Sequence, residues 1–166
     1  MGAAYNPAAW TSFFSAQVSA SAALAGLIFV AISINLQRIL EGRMLVARCA
    51  LALCMLIGVL FTSVCCLTPL QPVFALGCEL TPAAVAIWLA TTILQYRTSH
   101  RNPYVKAWQR FFHVLLTQVA TLPFVGCGVS LLLARGGGLY WLLPGVVFSL
   151  LAALIDAWVL LIEIQR

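Results

Sequence analysis

Charge is what this chain has least of. Only 8% of its 166 residues are Asp, Glu, Lys or Arg, while 63% are hydrophobic; a soluble globular domain carries roughly 25% charge. That balance excludes a water-facing fold and leaves an integral membrane protein. Marks of catalysis are missing too: there is no H-E-x-x-H, no G-x-S-x-G, no P-loop and no dinucleotide glycine fingerprint. The two histidines are His100, near a loop, and His113. They are too few and badly placed for stacked haem ligation within a helical bundle. No Cys spacing matches a C-x-x-C metal site, and the adjacent Cys65 and Cys66 point to different faces of a helix. No enzyme, metal or cofactor is therefore expected. The net charge of +5 has no nucleic-acid-binding motif beside it; it sets topology and meets anionic headgroups instead.

What is present is a series of apolar runs, each about 20 residues or longer, the length that crosses a hydrocarbon core about 30 Å thick. Five can be laid out, at about 10–37, 44–67, 73–96, 105–134 and 139–163. Backbone groups in lipid must bond within their own segment, so each run is expected to be a helix. Alternating ten-residue segments, which a β-barrel would require, do not occur. The fold expected is a single all-α domain over residues 1–166, a five-helix transmembrane bundle. Asn6-Pro7 and Asn102-Pro103 read as helix starts, and Arg135-Gly136-Gly137-Gly138 as a tight break. The third run has two possible beginnings, near Val73 with Pro82 inside the helix, or at Thr81-Pro82; the longer helix is the preferred reading.

Basic residues orient the bundle. Arg38, Arg43 and Arg48 follow the first span, Arg97, Arg101, Lys106 and Arg110 flank the third turn, and Arg166 ends the chain, whereas Arg135 falls on the other side. The positive-inside rule then places the N-terminus outside and the C-terminus in the cytoplasm, with a bacterial inner membrane as the expected location. The first fourteen residues lack Lys and Arg, so a cleaved signal peptide is not expected. Tyr5, Trp10, Tyr140 and Trp141 fall near the outer boundary, and Tyr96, Tyr104, Trp108 and Trp158 near the inner one, as aromatic belts do. Trp88 lies deeper, in a position suited to packing between helices.

The first span is polar for a membrane helix. Ser12, Ala16, Ser19, Ala23, Gly26, Val30, Ser33 and Gln37 recur every three or four residues, giving one stripe of mostly small side chains. Ser15 and Ala22 lie beside it, Gln17 and Asn35 at its margins, and Leu27, Phe29 and Ile34 on the other side. Lipid supplies no hydrophobic force between helices, so small residues and side-chain hydrogen bonds drive their association. The stripe is therefore either a helix-packing seam or the lining of a water-filled path. A second small row, Gly126, Ser130 and Ala134, follows Pro123, where a kink is expected.

Ionisable residues at depth mark function in a membrane protein. Asp156 and His113 fall at similar depth, and with Asn35, Arg48 and Glu163 they form a candidate inner polar cluster, either a satisfied structural network or part of an ion or proton pathway. Glu79 is the one acid of the outer half and a candidate mouth residue for an oligomeric cation path. Cys65, Cys66, Cys78 and Cys127 map to the outer half, where a bridge from Cys65 or Cys66 to Cys78 is permitted, though free thiols are preferred. Five helices without an internal repeat do not build a paired-half transporter. Two functions remain: a homo-oligomeric channel or permeation protein whose path is lined by the first helix, or a non-conducting accessory or scaffold protein that packs this face on a partner membrane protein. Partners expected are the lipid bilayer and further copies of the chain, and no nucleic acid.

The layout is checked by labelling single cysteines at positions 3, 137 and 166 from either side of the membrane. Ala3 and Gly137 are expected on the outer side and Arg166 on the inner; finding Gly137 with Arg166 would remove one span.

Overall fold

The computed structural model describes residues 2–41, 43–99 and 107–165. The described backbone is helical throughout, apart from short turns. Two 3-10 turns, Ala3–Tyr5 and Pro7–Trp10, lead into α1, Thr11–Ile34. There follow α2 (Leu36–Glu41), α3 (Arg43–Leu67), α4 (Val73–Ser99) and α5 (Ala107–Leu133), then a third 3-10 turn at Gly138–Trp141 and α6 (Leu142–Gln165). Five of these segments are long and apolar enough to cross a membrane: Pro7–Ile34, Leu45–Leu67, Val73–Arg97, Phe111–Leu133 and Gly138–Trp158.

The first helix stops short of the expected Gln37. Its last residue is Ile34, and Asn35 turns the chain before α2 resumes. The Asn35 amide Nδ2 donates to the Ala31 carbonyl at 3.1 Å, a local bond of the kind that lets Asn compete with the regular helix ladder. The third span takes the longer of its two readings, since α4 begins at Val73 and carries Pro82 inside. Thr81 Oγ1 donates to the Gly77 carbonyl at 2.7 Å, closing the turn that leads into the proline. Pro123 likewise lies inside α5.

Helices α3, α4, α5 and α6 pack in a ring, each touching the next and α6 returning to α3. Helix α1 lies outside that ring. It packs along α3 and meets α6 only over a short stretch, so more of its surface faces outward than that of any other span. Small residues bring the helices of the ring together. A Cβ added at Gly77 would lie 3.0 Å from the Leu132 backbone nitrogen, and one at Gly145 would lie 3.0 Å from the Phe124 ring. Between these contacts the core is filled by Phe14, Val59, Leu76, Leu80, Cys127 and Leu131, among others.

The N-terminal turns and the α5–α6 loop close one end of the bundle together. Helix α5 ends with Ala134 in the left-handed region, and the Arg135 N–H returns to the Ser130 carbonyl at 3.2 Å, the arrangement of a Schellman cap. Gly136, Gly137 and Gly138 all have positive φ, and a Cβ at Gly138 would run into the Ala4 carbonyl. Ser130 Oγ donates to the Arg135 carbonyl and accepts from the Gly138 N–H. The Tyr5 hydroxyl accepts from the Gly137 N–H at 3.3 Å, and the Trp10 and Tyr140 rings meet edge-on with centroids 4.9 Å apart. The second small row thus divides its work: Ser130 ties the loop, whereas Gly126 lies under the Trp141 ring.

The tightest crossing predicts the largest packing penalty. In Gly128→Ala the new Cβ would sit 2.6 Å from Thr81 Oγ1 and 3.0 Å from the Thr81 backbone nitrogen. Overpacking of this kind costs about 1–3 kcal/mol, so the thermal midpoint in detergent is expected to fall. Gly26→Ala, where nothing lies within 4 Å, is the control and should leave the midpoint unchanged or slightly raised.

Candidate functional site

At the end of the bundle opposite the glycine loop, three of the sequence-predicted ionisable residues come together from three helices. Arg48 of α3 lies within electrostatic reach of Asp156 of α6 and of His113 of α5. Asp156 is 9% exposed, while Arg48 and His113 are half-buried. A carboxylate so far from water is stabilised by a nearby cation, and Arg48 supplies one. No hydrogen bond reaches the Asp156 carboxylate from the described residues. Asn35 does not join them, because its amide is engaged by Ala31 and its side chain borders a groove between α1 and α6. The Glu163 side chain lies outside the described residues, as do Arg101, Lys106 and Arg166.

A polar ladder between α4 and α5 runs from this cluster toward the middle of the bundle. Gln95 Nε2 donates to the His113 carbonyl at 2.8 Å and to Thr117 Oγ1 at 2.9 Å. Above it, Trp88 Nε1 donates to Gln118 Oε1 at 2.6 Å, and Gln118 Nε2 reaches Thr92 Oγ1 at 3.4 Å. The sequence reading placed Trp88 between helices but missed Gln95 and Gln118. Their signal was available: Trp88, Thr92 and Gln95 stand four and three residues apart, on one helix face.

The stripe of the first helix faces away from its own chain. Ser12, Ala16, Ser19, Ala23, Gly26, Val30, Ser33 and Gln37 are all exposed, and the space beside Gly26 is open. Leu27, Phe29 and Ile34 are exposed as well. The face that packs inward carries Phe14, Gln17, Ser21 and Ile28, close to half a turn of the helix away from the stripe. Gln17, placed at the stripe's margin in the sequence, is only 5% exposed.

Gln17 also makes a polar side-chain contact between α1 and α3. Ser63 Oγ lies 2.8 Å from Gln17 Oε1 and 2.8 Å from the Val59 carbonyl, while Gln17 Nε2 is buried without a partner. One hydroxyl proton cannot serve two acceptors. With the amide turned over, Nε2 donates to Ser63 Oγ and the hydroxyl donates to Val59, which satisfies both donors. In either orientation one amide atom of Gln17 is left unpaired among the described residues.

Glu79 is exposed in the first half of α4, within electrostatic reach of Cys65. All six cysteines are free thiols, so the optional outer bridge to Cys78 is not formed. Among the described residues no group of three or more His, Cys, Asp or Glu side chains is arranged to hold a metal. In comparisons with known proteins, no family model, curated protein or solved structure matches this chain.

A double-mutant cycle tests the coupling of the inner cluster. Arg48→Gln and Asp156→Asn should each lower stability in detergent, and the pair should be non-additive by about 0.5–3 kcal/mol. Additive losses would mean that the two side chains do not sense one another.

Proposed function

We propose that this chain is a multi-pass membrane protein, with its N-terminus outside and its C-terminus cytoplasmic, which assembles with copies of itself so that the α1 stripes line a shared permeation path. A bacterial inner membrane fits the distribution of basic residues. The observation that carries the reading is the outward placement of the whole stripe, from Ser12 to Gln37. Helix α1 packs on α3 through its opposite face, which leaves the small polar face available to another molecule.

A path within one copy is disfavoured by packing. The cavity among Met55, Gly58, Thr62, Thr121 and Ser149, inside the α3–α6 ring, measures about 10 Å³, room for about one water. In this reading the path lies between copies. Small side chains suit that place, because they allow close approach of helices and add hydroxyls without charge. The exposed carboxylate of Glu79 would bias the outer entrance toward cations. The Arg48, His113 and Asp156 cluster then serves as a buried brace of each copy, off the path.

A second reading rests on Ser19. Its hydroxyl donates to the Ser15 carbonyl at 3.1 Å, so this serine needs no water and can sit in a dry seam. In that case α1 packs on a partner membrane protein, and the chain is a non-conducting accessory or scaffold. Neither reading gives the chain a catalytic role.

Single cysteines at Ser12, Ser19, Gly26 and Ser33, in a background without native cysteines, separate the two. Lining a path, they react with water-soluble thiol reagents in the assembled protein, while cysteines at Leu27 and Ile34 do not. Protection along the whole stripe, together with no ion flux in liposomes, would falsify the permeation reading. If the stripe is a packing seam instead, Gly26→Leu and Ser19→Leu should overpack it and break assembly or folding, whereas a path leaves room at both positions.

A further inference from the structure

Helices α3 and α5 stand on one diagonal of the ring, each packed on both α4 and α6. Among the described residues no side-chain hydrogen bond joins α3 to α5 directly. Between them lies the small interior cavity of about 10 Å³, with walls from all four helices of the ring. An apolar cavity of that size stays dry, whereas one lined by polar groups can hold a single water. Three hydroxyl side chains line this one: Thr62 of α3, Thr121 of α5 and Ser149 of α6, none more than 6% exposed.

The three hydroxyls use their protons differently. Thr121 Oγ1 donates to the Thr117 carbonyl at 2.8 Å, and Ser149 Oγ donates to the Ala120 carbonyl at 3.2 Å. A hydroxyl has one proton and two lone pairs, so these two offer only acceptors to the cavity. Thr62 is the exception. Its hydroxyl makes no hydrogen bond with any described residue, not even the return to the carbonyl four residues back that Thr91 and Thr121 make. A buried donor without a partner is costly, and more so in a surrounding of low dielectric.

We propose that the cavity is a binding site for one water molecule, which donates to Thr121 Oγ1 and Ser149 Oγ and accepts from Thr62 Oγ1. Two acceptors and one donor are the complement of a molecule with two protons and two lone pairs, and three bonds are the usual number for a buried water. The rest of the wall, including Ala84, Ile87 and Phe124, is apolar. A hard cation is the wrong occupant, because such ions take about six oxygens and favour carboxylates or carbonyls, whereas this lining offers three neutral hydroxyls. The water ties α3 to α5 and α6 across the ring and fixes their register at the level of Thr62. The site lies inside one copy, so it does not depend on how copies assemble.

The test uses the full chain purified in detergent. An experimental structure fine enough to show ordered solvent should place one density peak about 2.5–3.0 Å from all three hydroxyl oxygens. Thr62→Val keeps the shape of the side chain and removes its hydroxyl, and the sign of its effect is decisive. With water bound, the variant takes away one of its partners, and the thermal midpoint should fall by about 2–4 °C. In a dry cavity the same change removes an unpaired hydroxyl, and the midpoint should rise. Thr62→Ser keeps the hydroxyl and should keep the peak, so the density in the parent and in this variant decides the matter even if Thr62→Val does not fold. No peak in the parent, or a raised midpoint in Thr62→Val, would overturn the site. So would a midpoint that climbs with sodium or potassium at constant ionic strength in the parent but not in Thr62→Val, which would give the cavity to a cation.

Discussion

Helix α3 is the one helix on which all the others depend. It touches α1, α4 and α6 directly, and α5 is held by α4 and α6. Within a bilayer, apolar surface gains nothing by leaving lipid for protein, so such a hub is built from close approach and hydrogen bonds. Its composition follows from that. Ala52, Val59 and Ser63 are fully buried along α3, and Gly58 lets Ile87 of α4 come close. Larger side chains are buried as well: Met55 lines a cavity of only about 10 Å³ inside the ring, and Leu56 packs with Ile28 of α1 and Ala153 of α6.

The polar side chains sort by what they bond to. Ser21, Thr91 and Thr121 return their hydroxyls to carbonyls three or four residues back, so they are buried at little cost. Gln17, Gln95 and Gln118 instead bond across helices, and so fix the register of α1 on α3 and of α4 on α5. Long-range polar bonds of this sort have defined geometry, whereas apolar contacts alone tolerate sliding. The buried charges form a third class. Arg48 and Asp156 link α3 to α6 at the end opposite the glycine loop.

The opposite end is closed by a different device. There the chain uses backbone conformations open mainly to glycine at Gly136, Gly137 and Gly138, and the N-terminal turns fold back onto them. The bundle is therefore braced at the glycine end by turns and rings, and at the basic end by charge. Between them α1 is free on most of its circumference, which leaves the stripe from Ser12 to Gln37 uncovered.

The sequence by itself determined that the chain is helical and that five segments are long and apolar enough to span. Hydrocarbon thickness and the demand for internal backbone bonding act on local composition, which is visible in any window of twenty residues. It also marked Arg48, His113 and Asp156, because charge at depth is rare enough to be seen singly. It could not say which face of α1 would be covered. The stripe from Ser12 to Gln37 and the face bearing Gln17 and Ser21 are both small and polar, and periodicity ranks faces without naming their neighbours. Only the packing of α1 on α3 decided that Gln17 meets Ser63 and that Gly26 looks outward. The same holds for Asn35, whose depth suited the inner cluster but whose amide caps α1. Partners across helices depend on crossing angles, and those are set by how several helices fit together at once.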